Sequence, residues 1–153
     1  MSIPVSTVPA AIAGLTTLVN TQVATDSLPI LVVQGEPGMD FPNDIIQIAT
    51  DVRRTVIPEA FLGSYQTGSL QENYTISCLV SSYSGDPDPV AITSRAYVLA
   101  GYIETAVRTD PTLSTSVLEA HPSGTSGGLA TWTESPVGRL CELTVTIDVT
   151  TIN

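Results

Sequence analysis

The sequence predicts an α+β fold, in which a mostly antiparallel mixed sheet carries two helices on one face and a loop or hairpin arm projects from the domain. Two observations indicate this class. Apolar and polar residues alternate in several segments, as in strands with one wet face, and apolar residues recur at helical spacing in two others. The order of the segments, α-β-β-β-α-β-β-β, favours two helices over one side of a sheet. Because the 153 residues show no repeat and no linker, we expect one domain spanning residues 1–153.

The first helix is predicted over residues 9–24. Ile12, Leu15 and Val19 recur at the spacing of one helical face. Pro9 suits the first turn of a helix, where its missing N–H leaves no hydrogen bond unmade. A glycine and several threonines weaken the intrinsic helix propensity, so this helix must be stabilised by packing against the rest of the domain.

Two strands and an irregular segment follow this helix. Residues 30–34 form a β-branched run that ends at Gly35, and residues 44–53 are predicted to form a second strand. Residues 51–72 are interrupted by Pro58 and by two glycines, yet they contain large apolar side chains. Since no regular element accommodates those side chains, we predict that this segment is an arm or hairpin that projects from the domain.

Residues 72–83 are predicted to form a long strand with one buried face. Tyr74, Ile76, Cys78 and Val80 alternate with mostly polar residues, which gives them a common side. The opposite side is mostly polar. We therefore expect the first side to contribute to the hydrophobic core.

The second helix is the most strongly patterned segment of the chain. Asp88 is a favourable N-cap, Pro89 a favourable first residue, and the helix is expected to run to about Arg108. One apolar stripe at helical spacing consists of Ile92, Ala96, Leu99, Ile103 and Ala106. Pro111 ends the helix, because proline disfavours helical geometry in the residue before it.

The last third of the chain is predicted to contain three strands. The first two cover residues 114–120 and 129–134, separated by a Gly/Ser-rich loop at residues 121–128, and a turn follows at residues 135–138. The last strand has a clear apolar side formed by Cys141, Leu143, Val145, Ile147 and Val149. Because Cys78 and Cys141 both lie on apolar strand faces, we expect two buried thiols that are not bonded to each other.

The charge balance excludes several classes of function. The chain has 15 acidic residues against five arginines, no lysine, and a net charge of −10. Electrostatic binding of nucleic-acid phosphates requires clustered basic residues, so we do not expect a nucleic-acid-binding surface. Charged residues make up only 13% of the chain, below the usual quarter, which suits a protein that buries surface against partners or one rich in threonine. No apolar run reaches the length of a membrane span, and we expect no membrane association.

Residue patterns that carry chemistry are also missing from the sequence. Without lysine there is no phosphate-loop lysine and no Schiff base, and neither a G-x-S-x-G nor an H-E-x-x-H motif occurs. His121 is the single histidine, and with two cysteines it does not complete an ordinary zinc site. Asp86 and Asp88 are explained by turn and capping chemistry. We expect no catalytic residue, no cofactor and no metal, and hence a protein that is not an enzyme.

Three stretches in the second half of the chain resemble the tail-terminator (minor tail) proteins of long-tailed, siphovirus-type phages, particularly those of actinobacterial hosts. They are QENYTISCLVSSYSGD at residues 71–86, RTDPTLSTSVLEA at 108–120, and GRLCELTVTIDV at 138–149. The resemblance lies in the order and spacing of these patterns rather than in a catalytic motif. It implies a sheet with flanking helices, which agrees with the fold class predicted from the residues.

The resemblance also implies a structural virion protein and its partners. Members of the family form a ring, usually of six subunits, that caps the tail tube, ends its growth and meets the head–tail connector or neck protein. DNA passes through the pore of the ring without sequence-specific binding. The implied location is the head-proximal end of the virion tail, with assembly in the host cytoplasm.

Other functions remain open at this point. A head-completion or neck protein and a tail-tube subunit of the same virion are the nearest alternatives. A small α+β enzyme or a ligand-binding module is an alternative of a different class. Ring number and the identity of the partners do not follow from the sequence.

Five residues of the predicted arm are candidates for the contact with a partner or a neighbouring subunit. Phe61, Leu62 and Tyr65 are apolar side chains among residues that interrupt regular structure, and exposed aromatic groups supply large contact areas. Arg53 and Arg54 stand at the base of the arm, where they are suited to pair with carboxylates of an acidic neighbour.

Overall fold

A computed structural model of the chain describes residues 5–38, 42–58, 70–134 and 137–152. Two helices and five strands follow one another as α1 (Val8–Val23), β1 (Ile30–Gln34), β2 (Asp44–Pro58), β3 (Leu70–Ser84), α2 (Pro89–Thr109), β4 (Glu119–Glu134) and β5 (Val137–Ile152). The predicted α+β class is confirmed. Both helices begin and end within one or two residues of their predicted bounds.

The five strands form one mixed sheet in the order β1-β2-β3-β5-β4. β1 and β2 are parallel, and the other three neighbouring pairs are antiparallel. β1 and β4 are therefore the two edge strands of the described sheet. Both helices pack on one face of the sheet, and we call the other face the open face.

The hydrophobic core lies between the helices and the sheet. β3 alternates between buried and half-buried residues along nearly its whole length. From Cys141 onward, β5 alternates between buried residues and half-buried or exposed ones, because successive side chains of a strand point to opposite faces. The largest apolar side chains with no exposed surface are Leu15, Ile46, Ile48, Ile76, Leu99, Ile103, Leu113, Leu143 and Ile147. The helical stripe predicted from spacing is buried in full, as are both predicted strand faces.

The strand predicted over residues 114–120 is wrong, since a tight turn occupies residues 111–118. Leu113, Ser114 and Thr115 all have positive φ angles of 47°, 60° and 64°. The Asp110 carboxylate stabilises this turn by accepting hydrogen bonds from the backbone N–H of Thr112 and Ser114, both at 3.0 Å. Aspartate commonly bonds the backbone just after it, and here that bonding outweighs the β-propensity of the following residues.

The loop predicted over residues 121–128 is also wrong, because those residues lie in the continuous strand β4. Its register against β5 shifts between Pro122 and Gly124 and again between Gly127 and Ala130. Proline is tolerated in an edge strand, and a bulge absorbs the extra residues at each shift. The described residues thus form seven elements, where the sequence predicts eight.

The segment predicted to be an arm, residues 51–72, begins and ends in paired strands. Residues 51–58 of β2 pair with residues 70–77 of β3, so both ends of the segment form the stem of a hairpin. Residues 59–69 lie outside the described part of the chain. Projection of the arm from the domain stays a prediction.

Candidate assembly surface

A cluster of charged side chains surrounds Arg95 at one end of the helical layer. The Arg95 guanidinium donates to Asp26 from Nη1 at 2.7 Å and from Nη2 at 3.1 Å, and Nε donates to Asp44 Oδ2 at 2.8 Å. The Tyr102 hydroxyl donates to Asp26 at 2.5 Å, and the Ser82 hydroxyl donates to Asp44 at 2.6 Å. These bonds tie α2 to the segment that precedes β1 and to the first residue of β2.

The electrostatics of this cluster favour its ionised form. Hydrogen bonds from Arg95 and then from Tyr102 hold the pKa of Asp26 far below its ordinary value. The hydrogen bond to Asp26 in turn raises the pKa of Arg95 and that of Tyr102. Since donors already occupy the oxygens of both carboxylates, the cluster is suited to hold the fold together rather than to move a proton.

A second cluster surrounds the buried carboxylate of Glu72 at the start of α1. It accepts hydrogen bonds from the Thr7 backbone N–H at 2.9 Å, the Ser6 hydroxyl at 2.7 Å and Arg54 Nε at 2.5 Å. Burial alone would raise the pKa of Glu72, but these hydrogen bonds outweigh it and lower the pKa. The side chain of Thr7, the N-cap residue, makes no capping hydrogen bond to α1. Glu72 instead supplies the negative charge that the N-terminus of a helix favours.

The two cysteines are buried free thiols, as predicted. Burial raises the pKa of Cys78 to about 11 and also raises that of Cys141. A neutral, buried thiol is a poor nucleophile, because the thiolate is the reactive form. Both cysteines therefore act as small apolar core residues.

His121 lies on the open face beside Asp148, with its side chain more than half exposed. Nε2 of His121 is 4.0 Å from Asp148 Oδ2, and the Thr75 hydroxyl donates to Asp148 Oδ1 at 2.7 Å. In a catalytic triad the nucleophile contacts the histidine, but the Thr75 hydroxyl contacts the Asp148 carboxylate instead. The geometry does not form a catalytic triad.

Among residues 5–38, 42–58, 70–134 and 137–152, no group of three potential metal-ligating side chains comes together. Within the same described ranges, neither helix is long and apolar enough to cross a membrane.

A depression of about 400 Å³ lies next to the Arg95 cluster and is lined mainly by apolar groups, among them Leu28, Pro29 and Ile92. The guanidinium of Arg95 also lines it, but its donors are engaged with Asp26 and Asp44. A ligand entering this depression would meet apolar walls and charged groups that are already paired.

The five residues predicted to contact a partner or a neighbouring subunit differ in where they lie. Arg53 lies on the open face with its side chain 88% exposed and its Nε 3.5 Å from Asp51. Arg54 lies on the helix-facing side and bonds Glu72 of its own chain. Phe61, Leu62 and Tyr65 lie outside the described residues. Their role in partner contact stays a prediction.

A concentration of exposed apolar side chains lies where the β4–β5 hairpin meets the start of α2. We call this the hairpin-end patch, and it consists of Val90, Leu129, Trp132 and Val137. Leu129 is 84% exposed and Val90 is 70% exposed, and together they line one depression between α2 and β4. Such clustering of exposed apolar groups is characteristic of surfaces that bind other proteins.

Local structure holds the hairpin-end patch in place. Arg139 lies over the Trp132 ring at 5.3 Å from its centroid, and its Nε donates to the carbonyl oxygen of Pro87 at 3.1 Å. The hairpin is thereby bound to the turn that leads into α2. Gly127 and Gly128, with φ angles of 97° and 100°, form the bulge that precedes Leu129.

The hairpin-end patch was not predicted from the sequence. Leu129 and Trp132 were assigned to a short strand, with no distinction between a buried and an exposed side. The adjacent glycine pair at residues 127–128 was the available signal, since glycines inside a strand often mark a bulge that redirects the next side chain.

No family model and no curated protein matches this chain. Among solved structures, it is similar to a chain of the structure described as "Virion of native gene transfer agent (GTA) particle", with 13% sequence identity and a TM-score of 0.40. The match covers 92% of this chain and 98% of that chain.

Proposed function

We propose that this chain is a structural virion protein that forms a closed ring, of six subunits by its resemblance to tail terminators, at the head-proximal end of a phage tail tube. The ring ends tube polymerisation and joins the tail to the connector or neck protein, and DNA passes through its pore. Its partners are further copies of itself, the tail-tube protein and the connector. The proposal assigns the chain no catalytic step and no cofactor.

The hairpin-end patch is the observation that carries this proposal. Burying apolar surface is the main driving force of protein association, and a rigid patch avoids the entropic cost of ordering a loop. Trp132 is paired with Arg139 of β5, whose guanidinium also lies over the Trp132 ring, and Leu129 follows the glycine bulge of the same strand, yet both side chains are exposed. The polar clusters of Arg95 and Glu72, in contrast, are bonded within the chain. The surface is thus equipped for assembly.

Ring closure places a requirement on the contacts between subunits. A ring of more than two copies needs heterologous contacts, in which one surface of a subunit meets a different surface of the next. The hairpin-end patch lies at the β4 edge of the sheet, and β1 forms the opposite edge. A subunit with distinct surfaces on its two edges is suited to such head-to-tail contacts.

The first experiment is negative-stain imaging of the purified protein, alone and after mixing with tail tubes. Discrete rings, and rings at one end of tubes, are the expected result. Long tubes formed by this chain alone would favour the tail-tube subunit instead, and rings bound to the head side without effect on tube length would favour a neck protein. A protein that stays monomeric under both conditions would contradict all of these roles and would favour the enzyme or ligand-binding alternative.

The second experiment tests the hairpin-end patch directly. The double variant Leu129→Ser and Trp132→Ser should lose ring formation, with a smaller loss of stability than a core substitution causes, because Leu129 is 84% exposed and Trp132 is 48% exposed. Leu118→Ser is the matched control, since Leu118 is 61% exposed but lies in the turn before β4. Rings formed equally well by the double variant would exclude the hairpin-end patch as a ring contact.

A further inference from the structure

The turn between α2 and β4, at residues 111–118, holds a backbone conformation that L-amino acids avoid. Leu113, Ser114 and Thr115 have φ angles of 47°, 60° and 64°, all in the left-handed region. In that region the Cβ atom comes too close to the following carbonyl oxygen, so residues other than glycine adopt it singly rather than in succession. Three such residues in a row store conformational strain, and contacts of the turn must compensate for it.

Hydrogen bonds provide part of this compensation. Asp110 accepts hydrogen bonds from the backbone N–H groups of residues 112–114, two through its carboxylate and one through its carbonyl oxygen. Thr112 accepts from the backbone N–H groups of residues 115–117, through its hydroxyl and its carbonyl oxygen. Each N–H from residue 112 to residue 117 therefore has an acceptor within the turn. We call this arrangement the wound form.

Burial provides the other part. Leu113 has no exposed surface, and its carbonyl oxygen lies so close to α1 that no Cβ atom would fit at Gly14. Val117 is 7% exposed and belongs to the core. The next residue, Leu118, is 61% exposed. The wound form thus buries two apolar side chains of the turn and leaves a third in solvent.

The register of the sheet defines an extended alternative for the end of this turn. Glu119, the first residue of β4, pairs with Thr150 of β5 in an antiparallel ladder. Two further pairs in the same register would place Leu118 and Val117 opposite residues 151 and 152. The Leu118 N–H already donates to the hydroxyl of residue 151 at 3.2 Å, so the turn ends beside the position that this ladder would continue into.

This extended form would exchange the surroundings of two neighbouring apolar residues. Because successive side chains of a strand point to opposite faces, Leu118 would join buried Ala120 on the helix-facing side. Val117 would turn to the open face, opposite Ile152, which is 47% exposed. Directly opposed apolar side chains stabilise an antiparallel pair. Each form therefore buries one of the two residues that the other form exposes.

We infer that residues 110–118 are a two-state connection, in which the wound form exchanges with an extended form that lengthens β4 by two residues. Extension relieves the strain of three left-handed residues and pairs Val117 with Ile152. It gives up the hydrogen bonds to Asp110 and the burial of Leu113. Since these contributions oppose each other, single substitutions should shift the balance between the forms.

The two forms present different surfaces at this end of the sheet. The wound form exposes Leu118, whereas the extended form exposes Val117 beside Ile152 and withdraws Leu113 from α1. A partner that binds only one form would shift the connection toward it, because a ligand shifts a two-state element through its differential affinity. The connection is thus a regulatory element for contacts at this end of the sheet, and it does not rest on the proposed ring.

A disulfide between Val117→Cys and Ile152→Cys would detect the extended form in the full chain. In the wound form residue 117 lies in the core and residue 152 is exposed, so their sulfur atoms do not meet. In the extended form they would be a directly opposed pair, at a spacing that a disulfide can bridge. Glu119→Cys with Thr150→Cys is the matched control, because this pair exists in the wound form and is of the same kind.

Both double variants are incubated with oxidised glutathione, and mass spectrometry of the peptides follows the rate at which each disulfide forms. Cys78 and Cys141 should stay reduced, since they are buried and burial raises the pKa of both thiols. Val117→Cys itself removes part of a buried side chain. The comparison of rates between backgrounds therefore carries the result, rather than the rate in one protein.

Two backgrounds shift the balance in opposite directions. Ser114→Gly with Thr115→Gly favours the wound form, because glycine adopts left-handed backbone without a steric cost. It should slow the 117–152 disulfide about tenfold or more, given the cost of left-handed backbone in other residues. Asp110→Ala removes the carboxylate that accepts hydrogen bonds from the wound turn, and it should accelerate the same disulfide. The control disulfide should form at similar rates in both backgrounds.

The glycine substitutions also test the strain itself. The urea midpoint of Ser114→Gly with Thr115→Gly, made without added cysteines, should rise. Ser27→Gly is the control, since Ser27 is an exposed residue of another turn and its φ is not positive. There glycine only adds freedom to the unfolded chain, so the midpoint should fall.

Three results would overturn the two-state connection. The first is the absence of a 117–152 disulfide under conditions that fully oxidise the control pair. The second is a 117–152 disulfide that forms at the same rate in both backgrounds, which would indicate global unfolding rather than local exchange. The third is a fall in the urea midpoint of the double glycine variant, which would show that the turn is not strained. None of these results depends on whether rings form.

Discussion

The inward and outward sides of the helical layer differ in whether their residues contact other segments of the chain. On the inward side, Arg95 joins two carboxylates from distant segments, and Gly14 accommodates the carbonyl oxygen of Leu113. On the outward side, Val98 is 46% exposed, and a Cβ added at Gly101 would meet no atom of the other described segments within 4 Å. The same kinds of residue occur on both sides, but their contacts are complete on one side only.

This difference separates residues that serve the fold from residues that serve assembly. A residue of the first kind has an intrachain partner, so its substitution should reduce stability. A residue of the second kind lacks one, so its substitution should change association while leaving stability unchanged or higher. Each of the following predictions tests that separation.

Arg95→Met should have the largest effect on stability. The substitution leaves the buried carboxylates of Asp26 and Asp44 without their cation, and breaking a buried ion pair from one side costs about 3–5 kcal/mol. Urea denaturation followed by circular dichroism measures the loss. Arg53→Met is the control, because Arg53 is 88% exposed and its pairing with Asp51 should be worth about 0–1 kcal/mol. Equal effects of the two substitutions would contradict the structural role of the Arg95 cluster.

Gly14→Ala should destabilise the protein by about 1–3 kcal/mol, the usual range for overpacking a filled site. The added Cβ would lie 2.1 Å from the Leu113 carbonyl oxygen, and that oxygen belongs to a turn that cannot move without shifting buried Leu113. Alanine otherwise favours a helix, so the loss must come from the contact. A stable Gly14→Ala variant would show that the turn at residues 111–118 does not press on α1.

Acid should lower the free energy of unfolding by protonating the carboxylates of the Arg95 and Glu72 clusters. The pKa values of Asp26 and Glu72 are lowered in the folded chain, so their stabilisation is fully present above the unfolded values near pH 4. It is lost progressively as the pH falls from about 5 toward the folded pKa values. Denaturation midpoints between pH 7 and pH 3 should therefore decrease, and less steeply in Arg95→Met. Identical pH profiles of the unchanged protein and of Arg95→Met would show that Asp26 does not contribute to the pH dependence of stability.

The periodic elements could be predicted from the sequence because their residues report a local pattern. The stripe on α2 and the alternation in β5 each repeat every few residues, and both faces were assigned correctly. The turn at residues 111–118 was missed because three consecutive non-glycine residues take positive φ angles, which no local propensity favours. β4 was divided in two because Pro122 and the glycines of its bulges resemble loop signals.

The polar clusters could not be predicted, for a different reason. Arg95 lies 69 residues from Asp26 and 51 residues from Asp44 in the sequence, so no spacing signals their contact. The same holds for Glu72, whose partners Ser6 and Thr7 precede it by 66 and 65 residues. The bond between Arg54 and Glu72 of the same chain is equally invisible to sequence spacing, and a contact of Arg54 with a neighbouring subunit stays a prediction.

Gly101→Ala should have the smallest effect and the opposite sign, with a gain in stability of about 1 kcal/mol for the isolated subunit. The added methyl group meets no atom of the other described segments within 4 Å, so the helix gains propensity without a clash there. Urea denaturation at a concentration where the protein is monomeric measures this gain, and Gly14→Ala provides the matched substitution in the other helix. A variant that is less stable as a monomer would show that Gly101 serves the fold after all, and the separation between the two sides of the helical layer would no longer hold.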